Sequence, residues 1–249
     1  MANTDGNGYT IGFATVMVFV VGGILAALAT GLKPAIKENE RFEKQQSILY
    51  AMGVNENTDE EGKDKGSVNF VPTDKVEEAY TNYIKESFVI QNGKILEGED
   101  AFKVDMKKQS KLPKSERKLP LYVGERDGKK FYVIPLYGKG LWDAIWGYVS
   151  LDDKLIVQGA TFDHKGETPG LGANIKERYF MDDFIGEQIM NNGKYAGITV
   201  AKGNNDPINK TKDDNEVDAM AGATITGDGV TVMIKSTLKS YIPHIQKLK

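Results

Sequence analysis

No cysteine occurs among the 249 residues, so structural disulfides, iron–sulfur ligation and thiol catalysis are excluded. Only two histidines are present, His164 and His244, too few for an ordinary zinc site without help from carboxylates. His164 and Glu167 are close in sequence, but no third ligand and no nucleophile with an attendant base accompany them. Neither metal nor hydrolytic chemistry is therefore the first choice. Positive charge is not in excess: 32 Lys and Arg stand against 35 Asp and Glu, a net charge of -3, which leaves no basic footprint for nucleic acid. Charge of either sign is missing altogether from Gly6 to Leu32.

That uncharged stretch supplies, over residues 9–32, about 24 residues or about 36 Å of helix, enough to cross a bilayer with some tilt. Gly22, Gly23, Ala26, Ala27 and Ala29 put small side chains among the apolar ones, a pattern that suits either lipid or the close approach of another helix. A cleavable signal peptide is the competing reading. The run is long and no Lys or Arg precedes it, so a retained anchor is expected. Lys33, Lys37, Arg41 and Lys44 follow the span while Asp5 precedes it, which by the positive-inside rule leaves the large domain in the cytoplasm.

Beyond the span, residues 41–53 place apolar side chains on one helical face and stop at Gly53, as a polar stalk helix would. Asp59, Glu60, Glu61, Lys63, Asp64 and Lys65 make residues 55–67 a charged loop. A helix is expected over 73–83, and Gln91, Asn92 and Gly93 mark a turn between two short strands within 87–96. The basic segment 107–118 reads as a loop. Val, Ile, Tyr and Phe predict strands at 121–125, 130–136, 145–151, 155–161 and 196–200. Phe180, Phe184, Ile185 and Ile189 predict a helix over 179–191 lying on the sheet. After Gly227, Asp228 and Gly229, the residues Val230, Met233, Ile234, Leu238, Tyr241 and Ile245 recur at helical spacing, with Thr226 or Asp228 as the cap. Short hairpin links and few helices favour an α+β fold with an antiparallel sheet over a doubly wound one. The expected organisation is a tail at 1–8, a transmembrane helix at 9–32, a stalk helix at 33–54, an acidic loop and accessory α/β segment at 55–120, and a ligand-binding domain at 121–249.

Three short clusters carry the chemistry. The first is Tyr137, Gly138, Lys139, Gly140, Leu141, Trp142, Asp143, Ala144, Ile145, Trp146, which holds both tryptophans of the chain next to glycines that let a planar ring approach the main chain. The second is His164, Lys165, Gly166, Glu167, Thr168, Pro169, Gly170, Leu171, Gly172, in which Pro169 and Gly170 set a tight turn. Glu167 and Thr168 can there meet the polar edges of a ring and Leu171 its apolar face. The third is Asp218, Ala219, Met220, Ala221, Gly222, Ala223, Thr224, Ile225, Thr226, where a threonine hydroxyl stands on a backbone stripped of bulk just before a helix, whose first amides suit a phosphate.

The third cluster resembles the flavinylation motif of the FMN-binding domain family, found in the C-subunit of the sodium-translocating NADH:quinone reductase and in the G-subunit of the Rnf complex. That motif runs Asp, two variable residues, Ser or Thr, Gly, Ala, Ser or Thr, one variable residue, Ser or Thr. Asp218, Gly222, Ala223, Thr224 and Thr226 match it and Ala221 departs. The other two clusters resemble the family's glycine-rich aromatic turn and its His, two residues, Glu-Thr-Pro-Gly-Leu-Gly signature. Chain length and residues 44–53 are more similar to the C-subunit of the sodium pump than to its shorter Rnf relative.

The resemblance implies one covalent FMN, joined through its phosphate to Thr224 by a separate flavin transferase that uses FAD. Gly140, Leu141, Trp142, Trp146, Glu167, Thr168, Leu171, Gly172, Asp218, Gly222, Ala223 and Thr226 would form its surroundings, with Lys202 near its phosphate or ring. It further implies an electron relay toward quinone among other subunits of a bacterial inner-membrane sodium pump. The soluble domain would then lie on the extracytoplasmic side, opposite to the reading from flanking charge. An Rnf-type G-subunit and a membrane-anchored binding protein without covalent flavin are the alternatives; the mass of the tryptic peptide around Thr224 separates the last from the other two.

Overall fold

The computed structural model describes residues 6–58, 67–203, 206 and 209–248, and the chain divides into two compact units, Met1–Lys44 and Gln45–Lys249. The acidic run at 59–66 lies outside the described residues, as does Asp5. The first unit is carried by helix α1 (Asn7–Ala51), uninterrupted and with Pro34 inside it. The residues expected as separate anchor and stalk thus share one helix. Among the described helices α1 is the one long and apolar enough to cross a membrane by length and composition. Phe13, Val18, Phe19 and Leu25 of this helix are exposed, the reverse of the arrangement that water favours.

In the second unit, α2 (Val76–Tyr83) leads into strand β1 (Ile84–Gln91), which turns back into β2 (Lys94–Ile95). Asn92 and Gly93 both take positive φ, 48° and 81°, as a two-residue type I′ hairpin requires. The basic segment carries the short α3 (Met106–Gln109) and a 3-10 turn at Lys114–Glu116, and Arg117 ties it by hydrogen bonds to the carbonyls of Ser110 and Leu112. Four long strands follow, β3 (Leu119–Arg126), β4 (Lys129–Lys139), β5 (Ala144–Leu151) and β6 (Val157–His164). They join β1 and β2 in one six-stranded sheet of order β2-β1-β3-β4-β5-β6, antiparallel at every pairing. Segment 55–120 therefore supplies two strands to the same sheet as the segment after it. The chain ends with α4 (Arg178–Asp183), the two-residue strands β7 (Met190–Asn191), β8 (Lys194–Tyr195), β9 (Thr199–Val200) and β10 (Glu216–Val217), and the long helix α5 (Thr224–Leu248).

Both faces of the sheet are buried, and the alternation of side chains along each strand sorts them. Leu121, Val123, Tyr132, Ile134 and Leu136 pack with Val230, Met233, Leu238 and Tyr241 of α5. Tyr122, Phe131 and Val133 face the other way, against Ile48, Ala51 and Met52. Each fully buried side chain of this kind is worth about 1.5–3 kcal/mol, and the two-sided burial explains why β3 and β4 read as near-continuous apolar runs.

Two expectations are corrected. The helix at 179–191 stops at Asp183: Gly186 takes a φ of 87°, its amide donates to the carbonyl of Val157, and Val157 N donates to Glu187 O. The edge of β6 thus captures the backbone that a longer helix would have used. Phe180 and Phe184 still pack on Phe162, while Ile185 is exposed. The C-terminal helix begins earlier than expected, at Thr224. Its first i to i−4 bond runs from Gly227 N to Ala223 O, so Thr226 and Asp228 lie within the helix instead of capping it.

Candidate functional site

Three loops meet at one end of the sheet. Residues 139–144 turn between β4 and β5, closed by a hydrogen bond from Gly140 N to Asp143 O at 2.9 Å. The loop after β6 makes a turn in which Leu171 N and Ala173 N both donate to Thr168 O at 3.1 Å; Gly170 has a φ of 76°, so Pro169 and Gly170 occupy the central positions of a type II turn. The third loop turns from Met220 O to Ala223 N at 3.1 Å and delivers the chain into α5. Gly222, with a φ of 71°, makes this last turn; a Cβ there would also sit 2.7 Å from Leu171 Cδ2.

Glu167 holds the three together. Its side chain is buried, with 4% of the residue exposed. Its Oε1 accepts from Trp142 N at 2.9 Å and Asp143 N at 3.4 Å, and its Oε2 from Leu141 N at 3.3 Å and Thr226 Oγ1 at 2.6 Å. A carboxylate has about four lone-pair sites, so its capacity is used inside the protein and none is left for a ligand N–H. Burial pushes this carboxyl up, but the hydrogen bonds from Thr226 and from the amides of Trp142, Asp143 and Leu141 outweigh it and hold the group below the usual carboxylate range. Gly172 permits the approach of α5, since a Cβ at that position would collide with Thr226 Oγ1 and come 2.7 Å from Glu167 Oε2. His164 Nδ1 accepts from Glu167 N at 3.2 Å, which puts the imidazole proton on Nε2 when the ring is neutral.

The two threonines at the start of α5 are treated differently. Thr226 is 1% exposed and engaged by Glu167. Thr224 is exposed on the first turn, where the amides of residues 224–226 precede the first intrahelical bond. Such a helix start favours an anion. On one side of Thr224 lies a cavity of about 240 Å3 walled by Leu141, Glu167, Thr168, Leu171, Gly172 and residues 222–226. On the other lies a larger one of about 620 Å3 that includes Tyr179, Phe180, Asp183, Asp218 and Gly222.

Most of the residues singled out from sequence therefore converge. Gly140 sits beneath Glu167, and Trp142, 67% exposed, donates its indole N–H to Thr168 Oγ1 at 3.2 Å. Asp218 accepts from Asp206 N at 3.1 Å and lines the larger cavity. Trp146 lies in β5 opposite Tyr137 and Asp163 and lines neither cavity. Lys202 also lines neither and lies 3.8 Å from Asp228, both side chains being largely exposed. That pairing offsets the charge of Asp228, a carboxylate in the second turn of α5 that would otherwise oppose an anion at the helix start. Sequence reasoning misses Tyr179 and Asp183: a helix laid flat on a sheet accounts for Phe180 and Phe184, but an exposed aromatic at 179, off the apolar face, is the available signal.

Residues 140–239 match the family profile of an FMN-binding domain. Among curated proteins, the C-subunit of the Na(+)-translocating NADH-quinone reductase of Pseudomonas aeruginosa is 29% identical, over 99% of each chain. That of Vibrio alginolyticus is 28% identical over 100% of this chain and 97% of its own length. The crystal structure of the corresponding C-subunit from Parabacteroides distasonis superposes with a TM-score of 0.71 at 35% identity, covering 86% of this chain and 96% of that one.

Proposed function

From a chain that belongs to the C-subunit family of the Na(+)-translocating NADH-quinone reductase, we propose an electron-carrying flavoprotein component of such a membrane complex, with FMN esterified through its phosphate to Thr224. The observation that carries the reading is the contrast between the two threonines: Thr224 is exposed at the helix start while Thr226 is buried and bonded to Glu167. A phosphoester at Thr224 would lie by the free amides of the first turn of α5, beside cavities of about 240 and 620 Å3, the larger of them within the range of ordinary cofactor sites. Leu141, Leu171 and Ile225 are exposed around that point and offer apolar surface to a ring.

When bound, the flavin supplies reversible acceptance of electrons. The protein's share is to tether, orient and set the surrounding charge. Attachment by a transferase joins the Thr224 oxygen to the FMN phosphorus of FAD, breaks the pyrophosphate bond, releases AMP and passes the hydroxyl proton to a base of the transferase. Other subunits of the complex are the electron partners, and α1 is a retained bilayer anchor with the domain on the extracytoplasmic face of the bacterial inner membrane.

The test is the chain produced together with a flavin transferase. It should fluoresce under ultraviolet light in a denaturing gel, with the mass of FMN on the peptide containing Thr224, and Thr224→Ala should lose both signals. A bare Thr224 peptide in the presence of active transferase sinks the covalent reading; fluorescence that survives the substitution moves the attachment elsewhere.

A further inference from the structure

We propose that Glu167 lowers the reduction potential of the flavin held at Thr224, acting as a fixed negative charge in the cavity wall and not as a hydrogen-bond partner of the ring. The inference rests on the covalent reading above and adds a residue that tunes it. Among the described residues Glu167 is the single charged one in the wall of the 240 Å3 cavity. Its partners are three backbone amides and one hydroxyl, all neutral, so the charge is solvated by dipoles without being cancelled. Two neighbouring carboxylates, by contrast, are matched by cations: Asp143 with Lys165 at 2.8 Å and Asp228 with Lys202 at 3.8 Å.

Burial makes the unmatched charge effective, because a charge in a medium of low dielectric acts over a longer distance than one in water. Each electron the flavin takes from its donor in the complex adds negative charge near a carboxylate that cannot move away, since four donors from the β4–β5 loop and the start of α5 fix it. The oxidised state is thereby favoured. No bond is made or broken at Glu167 and no proton leaves it; the electron arrives from the donor and departs to the acceptor.

Two variants separate charge from scaffold. Glu167→Gln removes the charge and keeps most of the shape, whereas Thr226→Val keeps the charge and removes one of its donors. With the full chain carrying covalent flavin, a spectroelectrochemical titration should show the midpoint rise for Glu167→Gln by at least tenfold in the oxidised-to-reduced equilibrium, about 59 mV for a one-electron couple. For Thr226→Val it should fall, because the carboxylate is left less well solvated. A potential that rises in both variants, or moves in neither, overturns the proposal. If Glu167→Gln carries no flavin, Thr226→Val decides alone: a fall supports the proposal, and no change or a rise overturns it. A wild-type chain without covalent flavin is a different failure, that of the reading beneath, and its intact mass identifies it.

Discussion

Glu167 and Glu187 are both buried carboxylates, 4% and 0% exposed, and their surroundings push them in opposite directions. Glu167, at the meeting of three loops, has four donors and is held below the ordinary range. Glu187, under the segment that leads toward the Asp218 to Thr226 cluster, accepts from Asn209 Nδ2 at 2.9 Å and has Lys212 Nζ at 3.7 Å, while its Oε2 finds no partner among the described residues. Burial there prevails over Asn209 and Lys212 and pushes the group up to about 7. Burial is common to the two sites, so it is the supply of donors that decides whether a buried carboxyl stays ionised. The same difference separates a rigid clamp from a buried group whose ionisation costs stability as pH rises.

The largest expected break in this contrast is Glu167→Ala, which strands the Thr226 hydroxyl and three amides at once; a loss of about 3 kcal/mol at neutral pH is expected from unpaired buried donors. Urea denaturation of the full chain in detergent measures it, and a loss under about 1 kcal/mol would mean that the clamp is replaceable by water. Glu187 should behave in the opposite sense. Its folded pKa lies above its unfolded value, so the folded state binds the extra proton and stability falls as pH climbs from about 4.5 through about 7. Glu187→Gln should therefore gain stability over wild type between pH 5 and pH 8, by about 2 kcal/mol at the upper end. An advantage that stays flat with pH would show that Glu187 does not titrate in this window.

Glu167 follows the acid-side rule. Its folded pKa is depressed, so its contribution is complete above the unfolded value near 4.5 and is lost as pH falls from there through the lower folded value. Between pH 7 and pH 4 the stability difference between wild type and Glu167→Gln should shrink; a constant difference would assign that difference to packing alone. The smallest effect is Thr226→Ser, which keeps the hydroxyl and gives up a methyl, about 1 kcal/mol. A much larger loss would place the weight on packing of the methyl instead of on the hydrogen bond to Glu167.

Much of the fold is legible in local pattern. The long strands are visible because β-branched and aromatic residues accumulate there, and the β1–β2 hairpin because Asn92 and Gly93 tolerate positive φ. The segment 179–191 imitates one long helix because Phe180, Phe184 and Ile189 are all buried and thus satisfy helical spacing, although Ile189 reaches the core from beyond a turn at Gly186. No local signal reports that β6 will claim the amide of Gly186. The start of α5 is hidden for a related reason. Gly227, Asp228 and Gly229 look like a break, yet a Cβ at Gly229 would crowd the carbonyl of Lys139, so the glycine serves helix-to-strand contact and the helix passes through it.

The apolar segment within α1, the antiparallel sheet and the three clusters around the site follow from the order of residue types, because hydrophobic periodicity and turn chemistry act over a few positions. That Glu167 is a clamp, that Thr226 is hidden while Thr224 is exposed, and that Tyr179 and Asp183 share a cavity with Asp218 depend on residues tens of positions apart meeting at chosen distances. Hydrogen-bond supply and burial are properties of that meeting. For this reason the proposed attachment threonine could be matched from a motif, while the reason its neighbour is buried and engaged came only from the folded chain.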